Sequence, residues 1–130
     1  SKILVPKDYD FDLLFNALYE AKDCINHHAY ANNYDYNKVV YLMSEFQLLD
    51  NGFLILKEDQ SLCSPLATVF FEYYSDIENI KKVLTSNENH IQCVVSNHHA
   101  LSGISFGNAQ KPQLHDYADN IDTVEFLLKI

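Results

Sequence analysis

Residues 68–95 constrain the fold more than any other stretch. Thr68–Tyr74 (TVFFEYY) is a run of β-branched and aromatic residues, the composition of a strand. Ser75-Asp76-Ile77-Glu78 then reads as a capping box, with Ser75 at the N-cap and Glu78 at N3. Ile77, Ile80 and Leu84 fall on one face of the helix it opens, which runs to about Thr85. Ile91–Val95 is a short apolar strand. Strand, capped helix and strand in this order predict a βαβ unit with a parallel pair. That unit sets the class as α/β.

The remaining elements fit the same class. Lys2–Val5 reads as a strand ended by Pro6, with Asp8 or Asp10 to cap a helix after it. Phe11, Leu14, Phe15 and Leu18 recur at helical spacing, giving a helix to about Cys24. Ile25–Tyr34 is polar and aromatic and reads as a loop. A second helix is expected over about Asp35–Leu49, with Tyr36, Val39, Val40, Met43 and Phe46 facing inward. Asp50-Asn51-Gly52 stops it, since Asn and Gly accept positive φ. Phe53–Lys57 reads as a strand, Glu58–Ser64 as a polar turn, Ser96–Leu114 as irregular, and Thr123–Leu128 as strand-like.

At 130 residues, nearly half of them apolar, the chain reads as one domain, residues 1–130, with a real core. No apolar run approaches the length of a membrane span. Ser1–Pro6 lacks the long apolar region of a signal peptide. A strand that begins almost at Ser1 reads as a chain that begins mid-fold. The net charge is −9 and every basic residue is Lys. No basic stripe is present to neutralise phosphates, so nucleic acid is not an expected partner. Three Cys without paired spacing fit a reducing cytoplasm better than a disulfide framework. Three Gly, at 52, 103 and 107, cannot compose a phosphate-cradling loop.

The chemical side chains are scattered. Cys24 with His27 or His28 would share a helix face, and an imidazole there could activate the thiol. The apolar period fades near Cys24, however, and no third group orients either His. A small thiol enzyme using these residues stands as one alternative. His27/His28, His98/His99, His90 and His115 lack metal-ligand spacing and read as loop or surface His. Adjacent His are expected to point in different directions. Cys63 has no activating neighbour in sequence, and Cys93 reads as a small buried hydrophobe. Asp116, Asp119 and Asp122 lack the Gly and terminal Glu of a calcium loop and read as a solvated acidic turn. No metal site is expected.

Four stretches together resemble a known family. They are Ser1–Tyr9 (SKILVPKDY), Asn26–Leu56, Ser64-Pro65-Leu66 followed by Phe70–Ile91, and Phe106–Pro112 (FGNAQKP) followed by Asp116–Thr123. Across essentially the whole chain they resemble the aldehyde dehydrogenase superfamily. The closer likeness is to the acyl-CoA reductases of the bacterial luminescence type, in the shorter version common in Bacteroidetes. The last stretch is the most specific.

The resemblance implies the C-terminal portion of an aldehyde-dehydrogenase-like catalytic domain, a mostly parallel sheet with flanking helices. The parent enzyme would reduce a fatty acyl-CoA to an aldehyde with NADPH or NADH, through a thioester on a Cys. That nucleophile is expected just upstream of Ser1, and the dinucleotide-binding half further upstream. No catalytic residue is assigned within the chain, no cofactor is expected to bind it alone, and it is expected to be inactive by itself. Where the superfamily often has a Glu contacting the nicotinamide ribose, this chain has Ser61, and Ser64 stands for the Gly of the family's Gly-Pro pair. Only Ser64, Pro65, Phe106 and Gly107 carry over as residues facing substrate or cofactor. Expected partners are the acyl-CoA substrate, the rest of the same polypeptide and a homodimer mate. The other alternative is a free-standing interaction module with the same partial fold.

Overall fold

The computed structural model describes residues 1–117 and 121–130. They form two compact units, Ser1–Ser75 and Asp76–Ile130.

The first unit is built on a four-stranded sheet of order β1-β4-β3-β2. The strands are β1 (Lys2–Pro6), β2 (Leu48–Asp50), β3 (Ile55–Glu58) and β4 (Thr68–Tyr74). Strand β4 pairs in parallel with β1 on one side and β3 on the other, while β2 and β3 form an antiparallel hairpin. The α/β class and the mostly parallel sheet therefore hold. The βαβ unit expected from residues 68–95 does not form. Ile91–Val95 is not a strand; Val95 makes only an isolated parallel bridge with Ile104. The parallel partners of β4 come instead from β1 and β3, distant or poorly punctuated in sequence.

Strand alternation sorts the core onto two faces. Ile3, Val5, Leu56, Val69 and Phe71 pack on one face with Tyr9, Phe11, Leu14 and Phe15. The last three belong to α1 (Phe11–Leu18), whose N-cap Asp10 accepts a hydrogen bond from the Asp12 N–H at 2.9 Å. Beyond Leu18 the chain tightens into a 3-10 segment, Tyr19–Asn26. On the opposite face Leu48, Ile55 and Ala67 pack with Tyr30, Tyr34 and Tyr41 of α2 (His28–Met43). Ile55 and Leu56, successive residues of β3, are both completely buried because each points into a different core.

Helix α2 departs from expectation at both ends and in its orientation. It begins at His28, so residues 28–34 are helical and the loop expected at Ile25–Tyr34 is absent. It stops after Met43, well before Asp50-Asn51-Gly52. Glu45 takes a left-handed φ of +57°, the Glu45 N–H donates to Leu42 O and the Phe46 N–H to Tyr41 O. This is a Schellman ending, completed by the Phe46 ring against Tyr41. The Asp50-Asn51-Gly52 signal is spent on the β2–β3 hairpin, where Gly52 has φ +91° and Asp50 and Asn51 accept from the backbone N–H groups of Gly52, Phe53 and Leu54. The inward face of α2 is Tyr30, Tyr34, Asn37 and Tyr41; Tyr36, Val39, Val40, Met43 and Phe46, expected inside, are exposed.

In the second unit, α3 (Ile77–Ser86) buries Ile80. Its N-cap is Asp76 rather than Ser75: the Asp76 side chain accepts from the Asn79 N–H at 2.8 Å. A short 3-10 turn, Glu88–His90, comes next. Thr123–Leu128, expected as a strand, is helix α4, because Asp122 caps it by accepting from the Val124 and Glu125 N–H groups.

Candidate functional site

Two lysines lie on the α2 side of the sheet, in a row set by register: Lys2 of β1 and Lys57 of β3 both stand beside Phe70 of β4. Each side chain is only 7% exposed. Lys57 is ion-paired with Asp59, and its ammonium lies over the rings of Phe46 at 4.2 Å, Phe70 at 5.3 Å and Tyr41 at 5.5 Å. The Lys57 hydrogen bond is the main cause that holds the Asp59 carboxyl down at about 2, with help from the Ser61 N–H. Lys2 is ion-paired with Glu72 and donates to Gln60 O at 2.8 Å. Both cations thereby tie down the β3–β4 connection, residues 59–67. Sequence reading missed this row, since a lone Lys in an apolar strand run carries no signal of its own.

Ser64 and Pro65 sit in that connection. The Ser64 hydroxyl donates to Thr68 O at 2.7 Å and accepts from the Ser1 nitrogen at 3.0 Å. Residues 63 positions apart thus meet at the amino edge of the β1–β4 pair. Nearby, Leu66 O accepts from the buried Asn37 amide at 2.9 Å, Ala67 has φ +63°, and Thr68 Oγ1 is buried without a hydrogen-bond partner. Pro65 is exposed. In the second unit Phe106 is 67% exposed, with its N–H on the Asn97 side chain, and Gly107 has φ +79°, a turn conformation that suits Gly. Ser64 with Pro65 and Phe106 with Gly107 therefore stand in separate units.

Cys24 is half-buried, and its thiol neighbours the Tyr30 hydroxyl. Burial first, and Cys24 second, push that hydroxyl up to about 12, and it donates to Phe53 O at 2.8 Å. His27 and His28 are exposed. Cys93, expected inside, is exposed, as is Cys63. Cys93 lines an open groove of about 670 Å³ in the second unit, with Lys81, Glu88, Leu101 and Asp116. His98 and His99 stack at 4.7 Å instead of diverging. Asp116 accepts from the Gln113 N–H at 2.7 Å, and Asp122 caps α4 and raises the Tyr117 hydroxyl through its charge. Asp119 lies outside the described residues. Among the described residues no group of three His, Cys, Asp or Glu could hold a metal ion, and no helix is long and apolar enough to cross a membrane.

No protein-family model, curated protein or solved structure matches the chain. The class stated by the fold is α/β with a mostly parallel sheet.

Proposed function

We propose that this chain is the C-terminal part of the catalytic domain of an acyl-CoA reductase. One observation supports the reading: β1, which follows Ser1, pairs in parallel with β4, which follows the Ser64-Pro65 turn, so the two stretches start from one edge of the sheet. A nucleophilic Cys just upstream of Ser1 would enter the sheet beside the Ser64-Pro65 turn. The two stretches that such an enzyme needs together, thiol loop and cofactor-side turn, would then share one edge of a parallel pair. The thiolate would displace CoA from the acyl-CoA, and hydride from NADPH or NADH would release the acyl group as an aldehyde, restoring the thiolate.

The reading assigns the dinucleotide to the part of the polypeptide upstream, since Gly52, Gly103 and Gly107 do not compose a phosphate-cradling loop. What this chain contributes is wall and sheet: Ser64 and Pro65 at the edge, and Phe106 and Gly107 on an exposed turn facing substrate. A reducing cytoplasm and an acyl-CoA partner belong to the same proposal.

The test is the coding sequence upstream of Ser1 together with a reductase assay. A Cys shortly before Ser1, preceded by a dinucleotide-binding half, and NADPH-dependent aldehyde formation lost on Cys→Ala in that longer polypeptide are the expected results. An upstream sequence without such a Cys, or turnover of fatty acyl-CoA by the 130-residue chain alone, would overturn the reading.

A second reading, a free-standing interaction module, is favoured by the covering of both sheet faces, by α1 and by α2. The same upstream sequence separates the two.

A further inference from the structure

Asn51-Gly52 is the single Asn-Gly pair in the sequence, and it forms the turn between β2 and β3. Such a pair can rearrange its own backbone. Once the Gly52 nitrogen has lost its proton it can attack Asn51 Cγ. A nitrogen–carbon bond forms, the Cγ–Nδ2 bond breaks, and Nδ2 takes a proton from water and leaves as ammonia. Water then opens the resulting succinimide at either carbonyl, giving aspartate or isoaspartate at position 51. Glycine offers no Cβ to hinder the ring, and a Cβ placed on Gly52 would meet nothing within 4 Å, so the space for closure is open.

Both reacting groups are already engaged by the fold. The Gly52 N–H donates to Asp50 Oδ1 at 2.8 Å. Asn51 Oδ1 accepts from the Phe53 N–H at 3.2 Å and the Leu54 N–H at 2.9 Å, which fixes the side chain over the turn. Asp50 is gripped in turn from α2: the Tyr34 hydroxyl donates to its Oδ1 at 2.6 Å, and the Lys38 ammonium lies 2.5 Å from its Oδ2. We propose that Asn51 is a latent site of succinimide formation, held closed by the relay from Tyr34 and Lys38 through Asp50 to Gly52 and opened when α2 releases the hairpin. Two effects close it. The Asp50 carboxylate opposes the amide anion that must form beside it on the Gly52 nitrogen, because neighbouring like charges disfavour ionisation. The bond from the Gly52 N–H to that carboxylate is also of the stronger, charge-assisted kind, and it is lost when the nitrogen attacks. The stake is the hairpin itself. Isoaspartate inserts an extra carbon into the main chain beside the pairing of Asp50 with Ile55, a residue completely buried in the core, and that register cannot be kept with a longer turn. Asn51 has this property whether or not the chain belongs to a reductase.

Peptide mapping by mass spectrometry, after incubation of the 130-residue chain at neutral pH, reads the loss of the Asn51 amide and the isoaspartate formed. The folded chain is expected to convert at least about 30-fold more slowly than the same chain unfolded in urea, given the bonds that opening must break. Asp50→Ala raises the rate of the folded chain at least about 10-fold, as expected for the loss of one hydrogen bond to a charged group. Tyr34→Phe removes only the hydroxyl from the grip on Asp50 and raises the rate by a smaller factor. Circular dichroism reports whether either variant has lost its fold, and Tyr34→Phe keeps the test decisive if Asp50→Ala has. A folded wild-type chain that converts as fast as the unfolded one, or folded variants that convert no faster than wild type, overturns the proposal. Slower conversion in a folded Asp50→Ala chain overturns it too, since the carboxylate would then be a base that promotes the attack.

Discussion

Lys57 keeps its side chain out of water with one carboxylate and three rings around it. A buried pair is tolerated when both members stay matched, and is costly when one is removed. Lys57→Met, an apolar chain of similar length, is expected to leave stability within about 1 kcal/mol of wild type or above it. Asp59→Ala strands the ammonium and should lower stability by about 2 kcal/mol, less than for a fully buried partner because the Asp59 side chain is 24% exposed. Urea unfolding of both variants checks this; a larger loss for Lys57→Met would overturn it. The pair also sets a pH dependence. The Asp59 carboxyl titrates at about 2 in the folded chain, below its ordinary value of about 3.9 when unfolded. Protons therefore bind the unfolded chain first, so the stability contributed is whole above pH of about 4 and is lost as pH falls toward 2. Asp59→Asn should flatten the fall of Tm over that window. None of this is legible from Lys57 and Asp59 as residue types. It needs the register that places Lys57 beside Phe70 and under Phe46.

At the scale of the element, local signals are legible where the covering residue is also the patterned one. Phe11, Leu14 and Phe15 recur at helical spacing and do face the sheet, with Asp10 as cap. In α2 the pattern misleads, because two stripes compete and the aliphatic one looks more like a core than Tyr30, Tyr34 and Tyr41 do. The tyrosines win inside because their hydroxyls find partners, Tyr30 on Phe53 O and Tyr34 on Asp50 at 2.6 Å. The stop after Met43 has no sequence signal, since Glu45 is not a residue that announces a left-handed turn. The cap of α3 lies one residue beyond the expected Ser75: Asp76 reaches the Asn79 N–H. Asp76→Ala should accordingly cost about 1 kcal/mol of the stability of its unit, measured by thermal unfolding. A value near zero would leave α3 without a working cap.

For the whole molecule, the sheet is the unit of stability, and β3 lies at its centre with a core on each side. Leu56→Ala should cost roughly 2–5 kcal/mol in urea unfolding, because the vacated space lies among Val5, Phe11 and Phe71. Phe106→Ala, at a ring mostly in water, should change stability by less than about 0.5 kcal/mol. Equal losses would place Phe106 in a core that its exposure denies. Legible in the sequence were the strands, read at Lys2–Val5 and Thr68–Tyr74, and the start of the first helix, with Asp10 one of two cap candidates; the α/β class was also legible, although the βαβ unit it was read from does not form. Those rest on spacing and on short-range hydrogen bonds, which neighbours in the chain can settle. Only the tertiary structure decided which strands pair, which stripe of α2 is inside, and that Ser1 meets Ser64. Parallel pairing joins residues far apart in sequence, as Ile3 and Phe71 are joined. No local pattern encodes such a partner; the choice is made by which faces exclude the most water when the whole sheet closes.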